Sequence, residues 1–169
     1  GNTTLSQLTI NGTDYNRLPM GLLAQSEITP SSSIQPTTGS SFPTNSTGTL
    51  IGTVAFTSIG PTGPRKIRTN IELNMQDNVS GSTNNNLYLT LYDDTTILGR
   101  FRKTYKNGSY GDMVQISHYS NIATGVTKTY NVYGATDSGT MTISKNTGEY
   151  DANNPAPSSY ITLEDVGLG

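Results

Sequence analysis

The fold of this chain is decided by the stretch KIRTNIELNM at residues 66–75. Its even-numbered positions carry charged or amide side chains, and its apolar side chains fall on odd-numbered positions: Ile67, Ile71, Leu73 and Met75. Successive side chains of a β-strand point to opposite faces of the sheet. This alternation therefore predicts a strand with one face on a hydrophobic core and the other in water.

Similar short apolar segments lie on both sides of this stretch, separated by turn residues at roughly the 8–12-residue spacing of a sandwich or barrel. The predicted strands cover residues 22–25, 53–58, 66–75, 87–92, 96–105, 113–119, 128–135, 140–144 and 159–166. Turns are predicted at Pro61 and Pro64, at Asp93-Asp94 and at Asn107-Gly108. About eight to ten strands without a long helix predict an all-β fold, an antiparallel β-sandwich of the jelly-roll type.

The composition of the chain agrees with an all-β fold. Charged residues make up only 13% of the 169 residues and hydrophobic residues 32%, so Thr, Ser, Asn and Gly supply much of the polar surface. Threonine suits the exposed face of a strand, whereas surfaces rich in Lys and Glu suit helices.

The chain is predicted to divide into an arm and one domain. Residues 1–20 are expected to form an N-terminal arm or connector, because Asn11-Gly12 marks a turn and Pro19 ends the segment. Residues 21–169 are expected to form the sandwich, since a single domain of this size buries enough surface to fold. The loop at residues 29–48 is long enough to bind a ligand or to cover a sheet edge.

Charge and hydropathy argue against nucleic acid and membrane partners. The formal net charge is −2 and the pI is near 5.2, whereas nucleic-acid binding calls for clustered Lys and Arg. The two short basic clusters, at residues 65–68 and 100–103, are expected on the polar faces of strands. The apolar run at residues 50–56 is far shorter than the roughly 20 residues of a membrane helix, so no membrane insertion is expected.

Catalytic and metal-binding patterns are missing from the sequence. The chain has no cysteine, and its one histidine, His118, shares phase with Val114 and Ile116 and is expected at the edge of the core. No Gly-x-Ser-x-Gly elbow and no glycine-rich phosphate loop occurs. The adjacent carboxylates at residues 93–94 and 164–165 lack the ligand spacing of a calcium loop. We expect no enzymatic activity, no cofactor and no metal.

Tyrosine is the distinctive residue, with ten copies against no tryptophan. Several tyrosines are predicted on the strand face opposite the core: Tyr88, Tyr92, Tyr133 and Tyr160. A tyrosine placed there can decorate the surface, become buried between subunits or stack against a sugar. We hypothesise that these four tyrosines lie at a subunit interface.

Four segments resemble, in order, those of the tumour-necrosis-factor-like jelly-roll domains of bacteriophage virion-surface proteins, the fibre heads and decoration proteins. The segments are TVAFT at 53–57 with PRKIR at 64–68, the strand, acidic turn and strand at 87–102, TYNVY at 129–133 with SGTMTI at 138–143, and SYITLEDVG at 159–167. The last segment is the most telling, and the length of the 29–48 loop departs from the family.

The resemblance implies a homotrimer at the virion surface with no catalytic residues to carry over. The leading hypothesis is the head of a phage fibre or capsid appendage that attaches to a host-surface glycan or protein. Loops at 29–48, 77–86 and 146–158 are the candidate contacts, and the 1–20 arm would bind other virion proteins. Two alternatives stay open: a capsid decoration protein that stabilises the shell, and a secreted carbohydrate-binding module.

Overall fold

The computed structural model describes residues 7–10, 13–16, 21–29, 34–57, 65–77, 85–105, 112–123, 126–137, 141–144 and 157–168. The described ranges contain strands and turns and no helix. The strands are β1 (Gln7–Ile10), β2 (Thr13–Asn16), β3 (Gly21–Ile28), β4 (Thr37–Thr38), β5 (Thr49–Thr57), β6 (Arg65–Asp77), β7 (Asn85–Asp93), β8 (Thr96–Tyr105), β9 (Asp112–Ile122), β10 (Thr127–Thr136), β11 (Met141–Ile143) and β12 (Ser159–Leu168).

Two five-stranded sheets form the body of the molecule. Sheet 1 has the order β5–β10–β7–β8, and the short β4 continues the β5 side of β10. Sheet 2 has the order β3–β12–β6–β9, and β11 pairs with β6 beyond the end of its pairing with β12. All pairs are antiparallel except that of β4 with β10.

This strand order confirms the predicted jelly roll. Among the eight long strands, the first pairs with the last (β3 with β12), the second with the seventh (β5 with β10), the third with the sixth (β6 with β9) and the fourth with the fifth (β7 with β8). These pairs fall alternately in sheet 2 and sheet 1, as in a long hairpin rolled into two layers.

The core lies between the two sheets and uses the face that period-two alternation predicted. The apolar side chains of residues 66–75 are at most 1% exposed. They meet the inward-facing side chains of the other sheet, chiefly Leu87, Leu89, Leu91, Tyr130 and Val132. Full burial of each such side chain contributes roughly 1.5–3 kcal/mol, so this layer is the main source of stability.

The two open sides of the sandwich differ. On one side, a Cβ atom on Gly52 of β5 would lie 2.7 Å from Cδ1 of Ile161 and 3.5 Å from Oγ of Ser26. The missing side chain therefore lets sheet 1 approach sheet 2 closely there. On the other side the strands β8 and β9 approach through the rings of Phe101 and His118, whose centroids are 6.4 Å apart.

The expected position of Arg65 on the polar face of a strand is wrong. Arg65 is only 1% exposed and pairs with Asp165, itself 5% exposed. Arg65 has the same parity as Ile67, and Asp165 the same parity as Leu163, so both side chains face the core side of sheet 2. A buried guanidinium is tolerated because a carboxylate faces it.

Residues 34–48, the part of the 29–48 loop described from residue 34 onward, cover a sheet edge, one of the two roles predicted for the loop. Ile34 bridges to Ile143 at sheet 2, and Thr37–Thr38 pairs with β10 beside β5 in sheet 1. Phe42 then packs edge-to-face on Tyr88 of sheet 1, with ring centroids 5.5 Å apart.

The remaining predictions concern turns and the division between arm and domain. The predicted turn at Asp93-Asp94 is present at residues 94–95, where Asp94 has a φ of 51°. The predicted turns at Pro61, Pro64 and Asn107-Gly108 fall outside the described residues. Strands β1 and β2 form a two-stranded sheet of their own within the predicted 1–20 arm. The division at residue 20 stays a prediction.

Candidate functional site

The outward face of sheet 2 carries polar side chains that bond to one another across the strands, with Leu22, Met113 and Tyr119 exposed among them. Tyr160 donates to Glu27 at 3.4 Å, Gln115 to Glu72 at 3.0 Å, Ser117 to Asn70 at 2.7 Å and the Nε of Arg68 to Glu164 at 2.7 Å. Such cross-strand pairs each stabilise a sheet modestly. Many polar groups of this face are thus bonded to one another.

The carboxylates on β12 are engaged by arginines on β6. The hydrogen bond to Glu164 raises the pKa of the Arg68 guanidinium above its ordinary value. The neighbouring Asp165 bonds to buried Arg65 and accepts a hydrogen bond from the backbone N–H of Gly167 at 2.9 Å. The Glu164-Asp165 pair is therefore a structural element that joins two strands.

The outward face of sheet 1 is different in kind, because aromatic and apolar side chains occupy it. We call this surface the aromatic face; it consists of Phe42, Leu50, Tyr88, Tyr92, Ile97 and Tyr133. The cross-strand register places Leu50, Tyr133, Thr90 and Arg100 in one row, with Thr53, Asn131, Tyr92 and Ile97 in the next. A further row holds Ala135, Tyr88 and Arg102.

The rings of the aromatic face interlock, and its margin is exposed. Tyr92 and Tyr133 meet edge-to-face, with centroids 5.6 Å apart. Tyr88 and Tyr92 are 8% and 4% exposed, whereas Leu50 and Ile97 are 46% and 41% exposed. The apolar surface left open to solvent thus lies on the outer strands, beside a rigid aromatic centre.

Tyr88 is held in its protonated form. Burial raises the pKa of the Tyr88 hydroxyl, and a hydrogen bond to the Asp137 carboxylate raises it further. Asn86 also donates to Asp137 and accepts a hydrogen bond from Thr104 at 2.6 Å. This chain of bonds fixes the end of sheet 1 at which Phe42 packs.

The four tyrosines predicted at a subunit interface fall on two surfaces. Tyr88, Tyr92 and Tyr133 lie together on the aromatic face, while Tyr160 lies on the outward face of sheet 2. Two separate patches are what a cyclic trimer requires, because each subunit contacts its neighbours through two different surfaces. Their role at an interface stays a prediction.

Thr90 lies at the centre of the aromatic face and has an unused hydroxyl group. Its side chain is 0% exposed, and within the described ranges its Oγ1 makes no hydrogen bond. The register puts it between Tyr133 and Arg100, with Tyr88 and Tyr92 two residues away along β7. A buried hydroxyl without a partner costs about 1–3 kcal/mol, so a polar group brought to it has something to gain.

A groove of about 420 Å³ opens where β8 and β9 separate, at the free edges of both sheets. Apolar and polar side chains share its lining: Leu87, Leu89, Phe101, Val114 and Ile116 with Gln115, Arg100, Arg102 and Lys103. Among the described residues, no acidic side chain lines it. We call this surface the edge groove.

His118 lies at the edge of the core, as its phase predicted. It is half-buried against Phe101, and burial lowers the pKa of its imidazole. Across the described parts of the chain, no three His, Cys, Asp or Glu side chains are grouped closely enough to hold a metal ion. In the same parts no helix is long and apolar enough to span a membrane.

Sequence reasoning did not identify the edge groove or the buried Arg65–Asp165 pair. Strand parity carried a signal for the pair, because both residues continue the apolar phase of their strands. The groove has no local signal, since it depends on where β8 and β9 end up in separate sheets.

No protein-family profile and no curated protein sequence matches this chain. Solved structures that match this chain include dimeric latent PorU from Porphyromonas gingivalis, with 13% identity and a TM-score of 0.41 over 95% of this chain and 14% of PorU. The VP2 subviral particle of infectious bursal disease virus gives 15% identity and a TM-score of 0.43 over 92% of this chain and 40% of VP2.

A third related structure is the C-terminal CBM6 of LamC, a marine laminarinase from Zobellia galactanivorans. It has 16% identity and a TM-score of 0.34, over 82% of this chain and 98% of that module. The present chain thus spans well under two thirds of PorU and of VP2. Similarity at this level is too low to transfer a function from any of the three.

Proposed function

We propose that this chain is a non-enzymatic protein of the virion surface, the trimeric jelly-roll head of a phage fibre or capsid appendage that adheres to the host surface. The observation that supports this most is the contrast between the two outward faces. Sheet 2 bonds many of its polar groups across its strands, whereas sheet 1 places three tyrosines together on its outward face, next to Arg100 and Arg102, which form no ion pair within the described ranges. Such a surface favours a protein that binds through sheet 1.

Trimerisation through the aromatic face has a physical rationale. Leu50, Ile97 and Phe42 are 46%, 41% and 37% exposed on or beside sheet 1. Interfaces between identical subunits enrich aromatic and apolar residues, and jelly rolls are common among viral capsid and lectin domains. Three linked copies would also raise avidity for a repetitive host surface.

The use of carboxylates supports binding rather than catalysis. Glu164 and Asp165 pair with arginines, Asp93 pairs with Lys128 at 2.9 Å, and Glu72 accepts a hydrogen bond from Gln115. General acid–base hydrolysis needs two carboxyl groups free to exchange protons with a substrate. These carboxylates instead serve as structural partners.

Light scattering at two protein concentrations tests the assembly. A trimer of about 54 kDa, three times 18.0 kDa, is expected for the full chain. The double variant Leu50→Ser/Ile97→Ser should reduce the mass toward a monomer while the circular dichroism spectrum stays that of a folded β protein. Leu22→Ser, which removes a 62% exposed leucine from sheet 2, is the matched control and should leave the trimer intact.

A monomeric wild-type chain at both concentrations would contradict the trimeric head. If that monomer still binds glycans, a secreted carbohydrate-binding module becomes the better proposal. If the Leu22 variant dissociates and the sheet 1 variant does not, the interface lies on sheet 2.

Capsid decoration is a second candidate, and strands β1 and β2 favour it. They pair only with each other among the described strands, and an isolated two-stranded hairpin is marginally stable in water. Such a hairpin gains stability by docking on another protein, as a decoration arm would. Amide hydrogen exchange at residues 7–16 tests this. Fast exchange in the isolated trimer supports an arm that awaits a capsid partner, and strong protection would remove this argument.

A further inference from the structure

The basic side chains of this protein differ in what faces them. Arg65, Arg68 and Lys128 each contact a carboxylate, and Lys66 lies 5.3 Å from the ring centroid of Tyr119. Arg100 and Arg102 are both exposed, and within the described ranges neither forms an ion pair.

These two arginines share one face of an edge strand. They occupy alternate positions of β8, so their backbones are about 6.8 Å apart, twice the rise per residue of a strand. Both line the edge groove together with Lys103. Two arginines side by side, with no acidic side chain among the described lining residues, create a positive potential that an anion would relieve.

The rest of the site is suited to a sugar. The apolar side chains that line the edge groove match the C–H face of a pyranose ring, and Gln115 adds an amide to the lining. A volume of about 420 Å³ falls within the range of ligand pockets, roughly 300–1,000 Å³, and exceeds what a single small ion needs.

From these observations we infer that the edge groove binds an acidic glycan through its carboxylate groups, with Arg100 and Arg102 as the carboxylate ligands. A guanidinium presents paired N–H donors that match the two oxygens of a carboxylate. The inference rests on the proposed adhesion function and narrows its target from glycans in general to glycans that carry uronic or similar acids.

The test compares two forms of one polymer. Full-length wild-type protein is titrated with polygalacturonate and with the same polymer fully methyl-esterified, which blocks every carboxylate and keeps the backbone. Binding to the acid form is expected to be at least tenfold tighter and to weaken as salt rises, because the interaction is ionic. Equal binding to the two forms would overturn the inference, while adhesion to glycans would remain.

Protein variants then test which residues bind the carboxylate groups. Arg100→Gln/Arg102→Gln should lose tenfold or more in affinity for polygalacturonate with an unchanged thermal midpoint. Because both arginines share the outward face of sheet 1 with the proposed trimer contacts, light scattering must show that the variant keeps the wild-type oligomeric mass. Lys66→Gln removes one exposed cation from the outward face of sheet 2 and should leave affinity unchanged. Equal losses in both variants would show that net charge rather than the edge groove governs binding, and would overturn the site.

Dextran sulfate and dextran distinguish a failure of the carboxylate selectivity from a failure of the adhesion function. Dextran sulfate binding more tightly than polygalacturonate would show a general polyanion surface and overturn the carboxylate selectivity. Unsulfated dextran and whole bacterial cells test adhesion itself. If the protein binds none of polygalacturonate, its methyl ester, dextran and whole bacterial cells, the proposed adhesion function fails together with the inference.

Discussion

At the scale of single residues, the Arg65–Asp165 pair is the feature with the largest expected effect. Arg65 is 1% exposed, and within the described ranges its Nε and Nη1 atoms find no hydrogen-bond partner. The ion pair with Asp165 is therefore what compensates the buried charge. A charge left alone in such a place is far more costly than a charge on the surface.

Replacing Asp165 by Asn should lower the free energy of unfolding by about 3–5 kcal/mol, because the guanidinium of Arg65 would stay buried without its counter-charge. Glu164→Gln is the matched control one residue away, and its exposed partner Arg68 can return to water. Urea unfolding measures both. A loss as large for Glu164→Gln as for Asp165→Asn would contradict this account.

His118 should make stability dependent on pH. Burial lowers its pKa below the ordinary value of 6.5, so the unfolded chain takes up a proton at a pH where the folded chain does not. Stability from this residue is fully present above about pH 6.5 and is lost as the pH falls through the folded pKa. His118→Phe keeps a ring beside Phe101 and removes the proton.

Lowering the pH from about 7.5 to about 5.5 should therefore shift the thermal midpoint of the wild type by a different amount from that of His118→Phe. We expect the wild type to lose more stability than the variant over this range. An identical loss in both proteins would show that other groups set the acid sensitivity.

At the scale of strands, the position of a strand within its sheet determines how strongly its backbone amides are protected from hydrogen exchange. β6 is paired on both sides, by β9 and β12, and β10 is paired on both sides, by β5 and β7. β8 and β9 each have one free edge beside the edge groove. Only strands with two neighbours have all their backbone groups in ladder hydrogen bonds.

Amide hydrogen exchange should therefore be slowest in β6 and β10 and faster at alternate positions of β8 and β9, where amides point away from the sheet. In a trimer that covers the β8 edge, β8 would become as protected as β10. That result would place the subunit interface at the edge groove and contradict a free groove.

The strands themselves could be predicted, because alternation is a local property of the sequence. The 66–75 stretch lies inside β6, and the 96–105 prediction coincides with β8. Strand order could not be predicted, since many connections fit the same linear pattern. The face of Tyr88 and Tyr92 was predictable from parity, but their burial was not, because tertiary packing, including that of Phe42 on Tyr88, creates it.

At the scale of the whole molecule, the pairings join distant parts of the sequence. Glu27 on β3 pairs with Tyr160 on β12, 133 residues later. Proteins dominated by such long-range pairs fold slowly, because loop closure precedes the stabilising contacts. We expect refolding from urea on the scale of milliseconds to seconds or slower, measured by stopped-flow tyrosine fluorescence. A microsecond phase that recovers the full native signal would contradict this expectation.

The pairing of the first and last long strands also fixes where the chain passes in and out of the sandwich. Gly21 at the start of β3 lies opposite Asp165 near the end of β12, about one strand spacing (roughly 4.8 Å) away in the ladder. A domain whose two attachment points are neighbours can be inserted into a surface loop of a host protein without moving a strand. It can also be circularly permuted, with new ends at the Asp94-Thr95 turn and a linker of a few residues that joins the two attachment points. The same closeness means that a pull applied at Gly21 and Asp165 would load the β3–β12 ladder first and peel it apart bond by bond, so this strand pair is where mechanical failure of the sandwich would begin.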